Sequence, residues 1–248
     1  MIQVAVHGAA GRMGKLITKL VEAADDMQLA GLITEPGQGL AKGKFHSDCA
    51  LIGQNKMSEE LPTGCIIIDF SLAPALDGLL EQARQLKSPI VMGTTGFSDQ
   101  QKEALVAFSM EFPVVHAANF SVGIPALQML LQLLAKTLPS GFDAEQTETH
   151  HITKLDKPSG TAAHLASVYE SVREGGKEVP THSLRLGGTI GEHTWTFSDA
   201  EETLVLTHRA HSRNAFLRGI LPSVRFVQDH GAGLYGLTDV LQGLAANS

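Results

Sequence analysis

His150 and His151 are followed by Lys154 and then by a Pro158-Ser159-Gly160-Thr161 turn that opens an apolar helix. Imidazole and ammonium groups donate protons and pair with carboxylates. The turn adds two hydroxyls and the free backbone N–H groups of a helix N-terminus, where the macrodipole favours an anion. These residue types in this order describe a site for a small, multiply anionic substrate with a proton donor beside it. A metal fits them poorly. Neighbouring residues of a strand point to opposite faces, and no third ligand stands at metal spacing. No metal is therefore expected.

A second chemistry-bearing group opens the chain. Ile2-Gln3-Val4-Ala5-Val6 reads as a buried strand, Gly8-Ala9-Ala10-Gly11-Arg12-Met13-Gly14 as a glycine loop, and residues 15–21 as an amphipathic helix. Strand, glycine loop and helix form the context of a dinucleotide fingerprint, here spaced G-x-x-G-x-x-G. Ligands of open α/β sheets bind beyond the carboxyl ends of the strands. Three further turns read as such ends: Phe70-Ser71, Gly93-Thr94-Thr95-Gly96-Phe97, and the segment from His116 through Ala118, Asn119 and Phe120 to Ser121. Phe70 and Phe97 read equally well as core, and Asn119 as a turn-stabilising amide. After the second strand, Thr34-Glu35 stands where an acidic residue usually holds a ribose hydroxyl. Glu35 would favour NADH, whereas Arg12 could meet the 2′-phosphate of NADPH. The cationic run from His208 to Arg213 could reach a substrate, although such runs are usually solvated faces.

These residues need a frame. Residues 27–34, 64–70, 89–92 and 113–116 read as further strands of the first half. Pro74 opens a helix carrying Leu76, Leu79, Leu80 and Ala83, and Ser98 with Gln101 makes a capping box for another. Strands alternating with helices predict a doubly wound parallel α/β sheet. From about residue 143 the pattern changes to polar, antiparallel-looking strands at 145–151, 183–186, 193–197 and 203–207, with one clear helix at 161–173. This predicts a second, α+β domain over 122–212, with 1–121 and 213–248 forming the dinucleotide-binding domain. Residues 212–228 read as a helix that Pro222 should kink or divide. The apolar tail at 235–244 should dock on the first domain.

Composition narrows the classes. The net charge of −7 over 248 residues argues against non-specific nucleic-acid binding. Two cysteines without metal or disulfide spacing point to a reducing compartment. The absence of a leader or membrane-length apolar stretch points to the cytoplasm and away from the membrane.

With these motifs in view, the chain resembles the 4-hydroxy-tetrahydrodipicolinate (dihydrodipicolinate) reductases of bacterial lysine and diaminopimelate biosynthesis. The glycine loop, the Gly-Thr-Thr-Gly-Phe turn, Ala117-Ala118-Asn119-Phe120-Ser121-Val122-Gly123 and the His-His…Lys…Pro-Ser-Gly-Thr segment occur in family order. The resemblance implies NADPH or NADH as cofactor, held at Gly8, Gly11, Arg12 and Met13, with Phe70, Gly93, Thr95 and Asn119 at the nicotinamide end. It implies His150 and Lys154 as the catalytic pair. His151, Lys154, Ser159, Gly160 and Thr161 would bind the carboxylates of a small cyclic dicarboxylate. It further implies loss of water from the substrate, hydride transfer to ring C4, protonation of the resulting enamine on carbon, and a homotetramer built through the middle domain. Two positions depart from the family pattern. Lys157 stands where a small residue is common, and Thr34-Glu35 does not reproduce the usual acidic-then-basic pair.

Overall fold

The computed structural model describes residues 1–34, 49–175 and 177–246. The chain forms two compact units, Met1–Phe120 with Phe216–Ser248, and Ser121–Ala215.

The first unit is built on a seven-stranded sheet. Its strands are β1 (Ile2–His7), β2 (Met27–Thr34), β3 (Leu51–Gly53), β4 (Ile66–Asp69), β5 (Ile90–Met92), β6 (Pro113–His116) and β11 (Gly233–Tyr235). The order is β11-β6-β5-β4-β1-β2-β3, and every pairing is parallel. Parallel strands covered on both faces must be apolar at successive positions. Ile66, Ile67 and Ile68 are all fully buried. Ile66 and Ile68 face α1 (Arg12–Glu22), α7 (Ile220–Asp229) and α8 (Leu237–Ala246). Ile67 faces α2 (Met57–Glu60), α3 (Leu76–Leu86) and α4 (Asp99–Ser109). The strand order reverses between β1 and β4, which is the switch point where doubly wound sheets bind their ligands.

The expected helix signals act as read. Ser98 Oγ accepts the Gln101 N–H at 3.2 Å, and the Gln101 side chain accepts the Ser98 N–H at 3.1 Å. The tail docks through Leu237 and Val240, both buried in the same core as α1. Three elements were not expected. Strands β3 and β11 are three residues each, too short to show a period. Helix α2, at four residues, has the same excuse. The break in the 212–228 region also falls elsewhere than expected. A 3₁₀ turn at Arg213–Leu217 precedes α7, and Pro222 sits in the first turn of α7, where no N–H partner is lost.

The second unit carries a four-stranded sheet in the order β10-β9-β7-β8. The strands are β7 (Asp143–His150), β8 (Thr181–Arg185), β9 (Glu192–Ser198) and β10 (Thr203–Arg209). Not all are antiparallel as expected: β7 and β8 run parallel, while β7–β9 and β9–β10 are antiparallel. A parallel pair needs a crossover, and α6 (Gly160–Val172) supplies it. A second helix, α5 (Gly123–Thr137), precedes the residues where the strand pattern was read and was not itself read from the sequence. Its leucines run around much of the helix, so no narrow stripe announced it. Helices α5 and α6 cover the sheet face bearing Ala144, Trp195, Phe197 and Leu206. The opposite face presents Thr147, Thr149, Thr194, Thr196 and Val205.

Candidate active site

In the first unit, the turn after β1 carries the glycine loop. Gly8 has φ +76, and a Cβ there would lie 2.5 Å from the Phe70 carbonyl oxygen. A Cβ on Gly14 would lie 2.3 Å from the Gly8 oxygen, so helix and loop touch at backbone distance. Gly11 is the N-cap of α1 and brings no side-chain cap, which leaves the first N–H groups open to an anion. Arg12 is exposed and Met13 half-buried at the first helical positions. This cradle fits a dinucleotide pyrophosphate. Replacing Gly8 or Gly14 by Ala is expected to cost about 1–3 kcal/mol and to weaken dinucleotide binding. Gly11→Ala, whose Cβ would meet the Gly8 oxygen at 3.1 Å, should cost less. Urea titrations with and without each of the two reduced nicotinamide dinucleotides check this, and equal effects at the three positions would contradict it.

The neighbouring turns converge on Phe70. A Cβ on Gly93 would lie 2.3 Å from the Phe70 ring, and the Phe70 and Phe120 rings are 5.7 Å apart. Phe120 is itself fully buried, so it backs Phe70 and offers no surface of its own for a cofactor. Phe97 is core, 5.6 Å from the His116 ring. His116 Nε2–H donates to the Thr94 carbonyl at 3.0 Å and ties the turns after β5 and β6. Thr95 and Ala118 are exposed, and Asn119 is half-buried. Thr34 ends β2 beside Gly53. Glu35 lies outside the described residues.

Sequence reading missed His7 and Asp69. They end β1 and β4 in register, both buried, with His7 Nδ1–H donating to Asp69 Oδ1 at 2.8 Å. Burial opposes ionisation of Asp69, but His7 and the donated hydrogen bonds hold its pKa below the ordinary carboxylate value. The pair pins both turns of the switch point, since Ser71 N–H also reaches Asp69. A charged residue closing an Ile-Ile-Ile strand was the available signal.

In the second unit, the β7–α6 crossover places the His150–Thr161 segment between the carboxyl end of β7 and the N-terminus of α6. Ser159 is the buried N-cap, its Oγ accepting the Ala162 N–H at 3.2 Å. Gly160 and Thr161 begin the helix. Lys154 Nζ pairs with Asp156 Oδ1 at 2.9 Å, and this pairing holds the Asp156 carboxyl below its ordinary value. His151 Nδ1 and Thr153 Oγ1 are 2.7 Å apart. Lys157 is exposed.

Glu148, Arg185 and His193 were not read from the sequence, and they are the buried floor of this site. Glu148 shares the inner face of β7 with His150, which donates from Nδ1 to Glu148 Oε2. Burial opposes the Glu148 charge, but hydrogen bonds from Arg185, Ser183 and His150 bring its pKa down to about 2. His150 itself is shifted below the usual imidazole value because burial, with smaller help from the Lys154 and Arg185 charges, outweighs the opposing pull of Glu148. It is therefore neutral at pH 7 in the free protein. With an ionised acceptor at Nδ1, its proton resides on Nδ1 and Nε2 carries the lone pair. The cationic run disperses. His208 lies on the inner face, its Nε2 3.3 Å from Ser121 Oγ, whereas exposed Arg209 pairs with Glu192. Among the described residues, no group of three His, Cys, Asp or Glu side chains is placed to hold a metal ion, and no helix is long and apolar enough to cross a membrane.

A doubly wound sheet with a glycine cradle at its switch point is the frame of a dinucleotide-dependent oxidoreductase. Family models for the N-terminus and C-terminus of dihydrodipicolinate reductase match residues 2–120 and 123–241. The chain belongs to the dihydrodipicolinate reductase family. It is 35% identical over 264 residues to the 4-hydroxy-tetrahydrodipicolinate reductase of Syntrophus aciditrophicus, covering 97% of this chain and 98% of that one. It is 36% identical over 245 residues to that of Stenotrophomonas maltophilia strain K279a, with the same coverage. The dipicolinate-bound dihydrodipicolinate reductase of Paenisporosarcina sp. TG-14 superposes with a TM-score of 0.83 at 25% identity, over 96% of this chain and 99% of that one. The family makes this chain a nicotinamide-dependent oxidoreductase of lysine and diaminopimelate biosynthesis.

Proposed function

We propose that this chain reduces 4-hydroxy-tetrahydrodipicolinate, by way of dihydrodipicolinate, to tetrahydrodipicolinate, with NADPH or NADH as reductant. When bound, the reduced nicotinamide supplies the hydride for ring C4 of the substrate. Gly8, Gly11, Arg12 and Met13 would hold its phosphates and adenosine, and Thr34 and Glu35 the ribose. Phe70, Gly93, Thr95, Ala118, Asn119 and the backing ring of Phe120 would define the nicotinamide end.

The observation that carries the substrate reading is the Asp156 carboxylate. It rests on the Lys154 ammonium at 2.9 Å, a donor assigned to a substrate carboxylate. That ammonium accepts a carboxylate. His151, Ser159 and Thr161 surround the same turn and complete a subsite for a dianion. Hydride addition leaves an enamine, which takes a proton on carbon. Lys154 donates it. His150, neutral with its lone pair on Nε2, is the partner that accepts or relays a proton rather than the resting acid. The reading extends to a cytoplasmic homotetramer assembled through the helix-free threonine face of the β7–β10 sheet, for which light scattering should give the mass of four chains.

A coupled assay tests the reaction, with a dihydrodipicolinate synthase making the labile substrate from pyruvate and aspartate semialdehyde. Substrate-dependent oxidation of NADPH and NADH is expected, and the ratio of the two kcat/KM values reads cofactor preference at Thr34-Glu35. Cofactor binding without any such oxidation would overturn the assignment.

A further inference from the structure

Glu148 and Arg185 are deeply buried beneath the crossover loop, at 0% and 7% side-chain exposure. Each has its hydrogen-bonding capacity filled. Glu148 Oε1 accepts from Arg185 Nη2 at 2.8 Å and from the Ser159 N–H at 3.3 Å. Its Oε2 accepts from Arg185 Nη1 at 3.0 Å and from His150 Nδ1. The guanidinium has five N–H donors. Two serve Glu148, and the others reach the carbonyls of Leu184 at 2.6 Å, Lys154 at 3.2 Å and Asp156. Neither group retains a donor or acceptor for substrate.

These bonds join every limb of the loop. His150 is oriented through its ring, Lys154 and Asp156 through their carbonyls, and the Ser159 anion turn through its N–H. We propose that the Glu148–Arg185 pair is the positioning element of this site. It fixes the His150 tautomer and registers the Lys154 ammonium against the Ser159–Gly160–Thr161 turn. The proposal rests on the reading of His150 and Lys154 as the proton-handling pair. A buried ion pair is weak evidence for stability, because well-packed apolar residues often replace one without loss. Placement is the property that such a replacement removes. Lys could not take the place of Arg185, since it lacks the planar fork that bonds a carboxylate and three carbonyls together.

Two variants test this. Glu148→Gln can donate its amide to His150 Nδ1, so the His150 proton is expected to move to Nε2. Nitrogen NMR of the free protein reads that shift without substrate. Glu148→Leu/Arg185→Met removes the pair and leaves no buried charge, so the variant should keep the wild-type urea midpoint. Its kcat should nevertheless fall about 10²-fold, the scale of a 1 Å misplacement of reacting groups. A double variant that regains wild-type kcat together with wild-type stability would overturn positioning and leave a structural role. So would an unchanged His150 tautomer in Glu148→Gln. If wild type shows the Nδ1–H tautomer and the variant loses it, while wild type reduces no substrate, the positioning stands and the proposed reaction fails.

Discussion

Lys154→Ala is expected to lower kcat by about 10²–10⁴-fold, the usual range for removing a positioned general acid. KM should rise with it. The argument begins with protonation. His150 is held neutral by burial and by the neighbouring cations, so at pH 7 it has no surplus proton to give. Lys154 reaches the same loop as a cation already engaged by a carboxylate, Asp156. Substrate must replace Asp156 on that ammonium, and this exchange is where ground-state binding enters. Transition-state loss appears in kcat, and uniform binding loss appears in KM alone. A KM increase with unchanged kcat would make Lys154 a carboxylate binder and return the proton to His150. The variant should fold normally. The Lys154–Asp156 pair is 24% and 55% exposed, and such pairs contribute only about 0–1 kcal/mol. An unchanged urea midpoint beside a collapsed kcat is therefore the expected signature.

How much of this was legible depended on whether the signal was local. The glycine loop was legible because strand, turn and helix adjoin in sequence, and Gly11 and Gly14 both close on the Gly8 carbonyl a few residues away, although Gly8 itself closes on distant Phe70. The helix residues Leu76, Leu79, Leu80 and Ala83 declared themselves by spacing, and all four are buried. Helix α5 did not, because Ile124, Leu127 and Leu131 are buried while Leu130 and Leu133 are exposed, and apolar residues on both sides erase the period. The N-cap of α6 was visible as Ser-Gly-Thr before an apolar run.

What lay beneath that turn was less accessible. Glu148 stands two residues before His150, and on a strand that spacing places both on one face, so this contact could have been read. Arg185 could not. Its approach depends on the parallel register of β7 with β8, which sets His150 opposite Arg185. A crossover helix of unknown path separates the two in sequence, and no local pattern encodes the register. His193 was equally hidden, since its partner in the ladder is Glu148, 45 positions away by number. The course of the His150–Thr161 loop into α6 is thus readable from sequence, whereas the charges beneath it are set by strand pairing.

His193 leads to a second large effect, on stability. It is 3% exposed, and burial, with the neighbouring His150 and His208, lowers its pKa from 6.5 to about 4. An unfolded chain binds its proton below pH 6.5, whereas the native state resists protonation until about pH 4. Between those values the unfolded state holds more protons, so stability falls as pH falls. A shift of this size corresponds to about 3 kcal/mol, complete by roughly pH 4. Glu148 acts in a lower window. Its pKa is depressed from 4.5 to about 2, so its contribution is present above pH 4.5 and is lost as pH drops toward 2. The two windows barely overlap, which lets them be separated. Trp195, the single tryptophan of the chain, lies two residues from His193 on β9 and is fully buried in the same unit. Urea unfolding followed by its fluorescence should show the midpoint falling steadily from pH 6.5 to 4, before any carboxylate of the site titrates. His193→Leu should reduce that slope, leaving only the share of His150 and His208, which burial also shifts down, and should leave the fall below pH 4.5 intact. A His193→Leu protein with the wild-type slope between pH 6.5 and 4 would place the acid sensitivity on other groups.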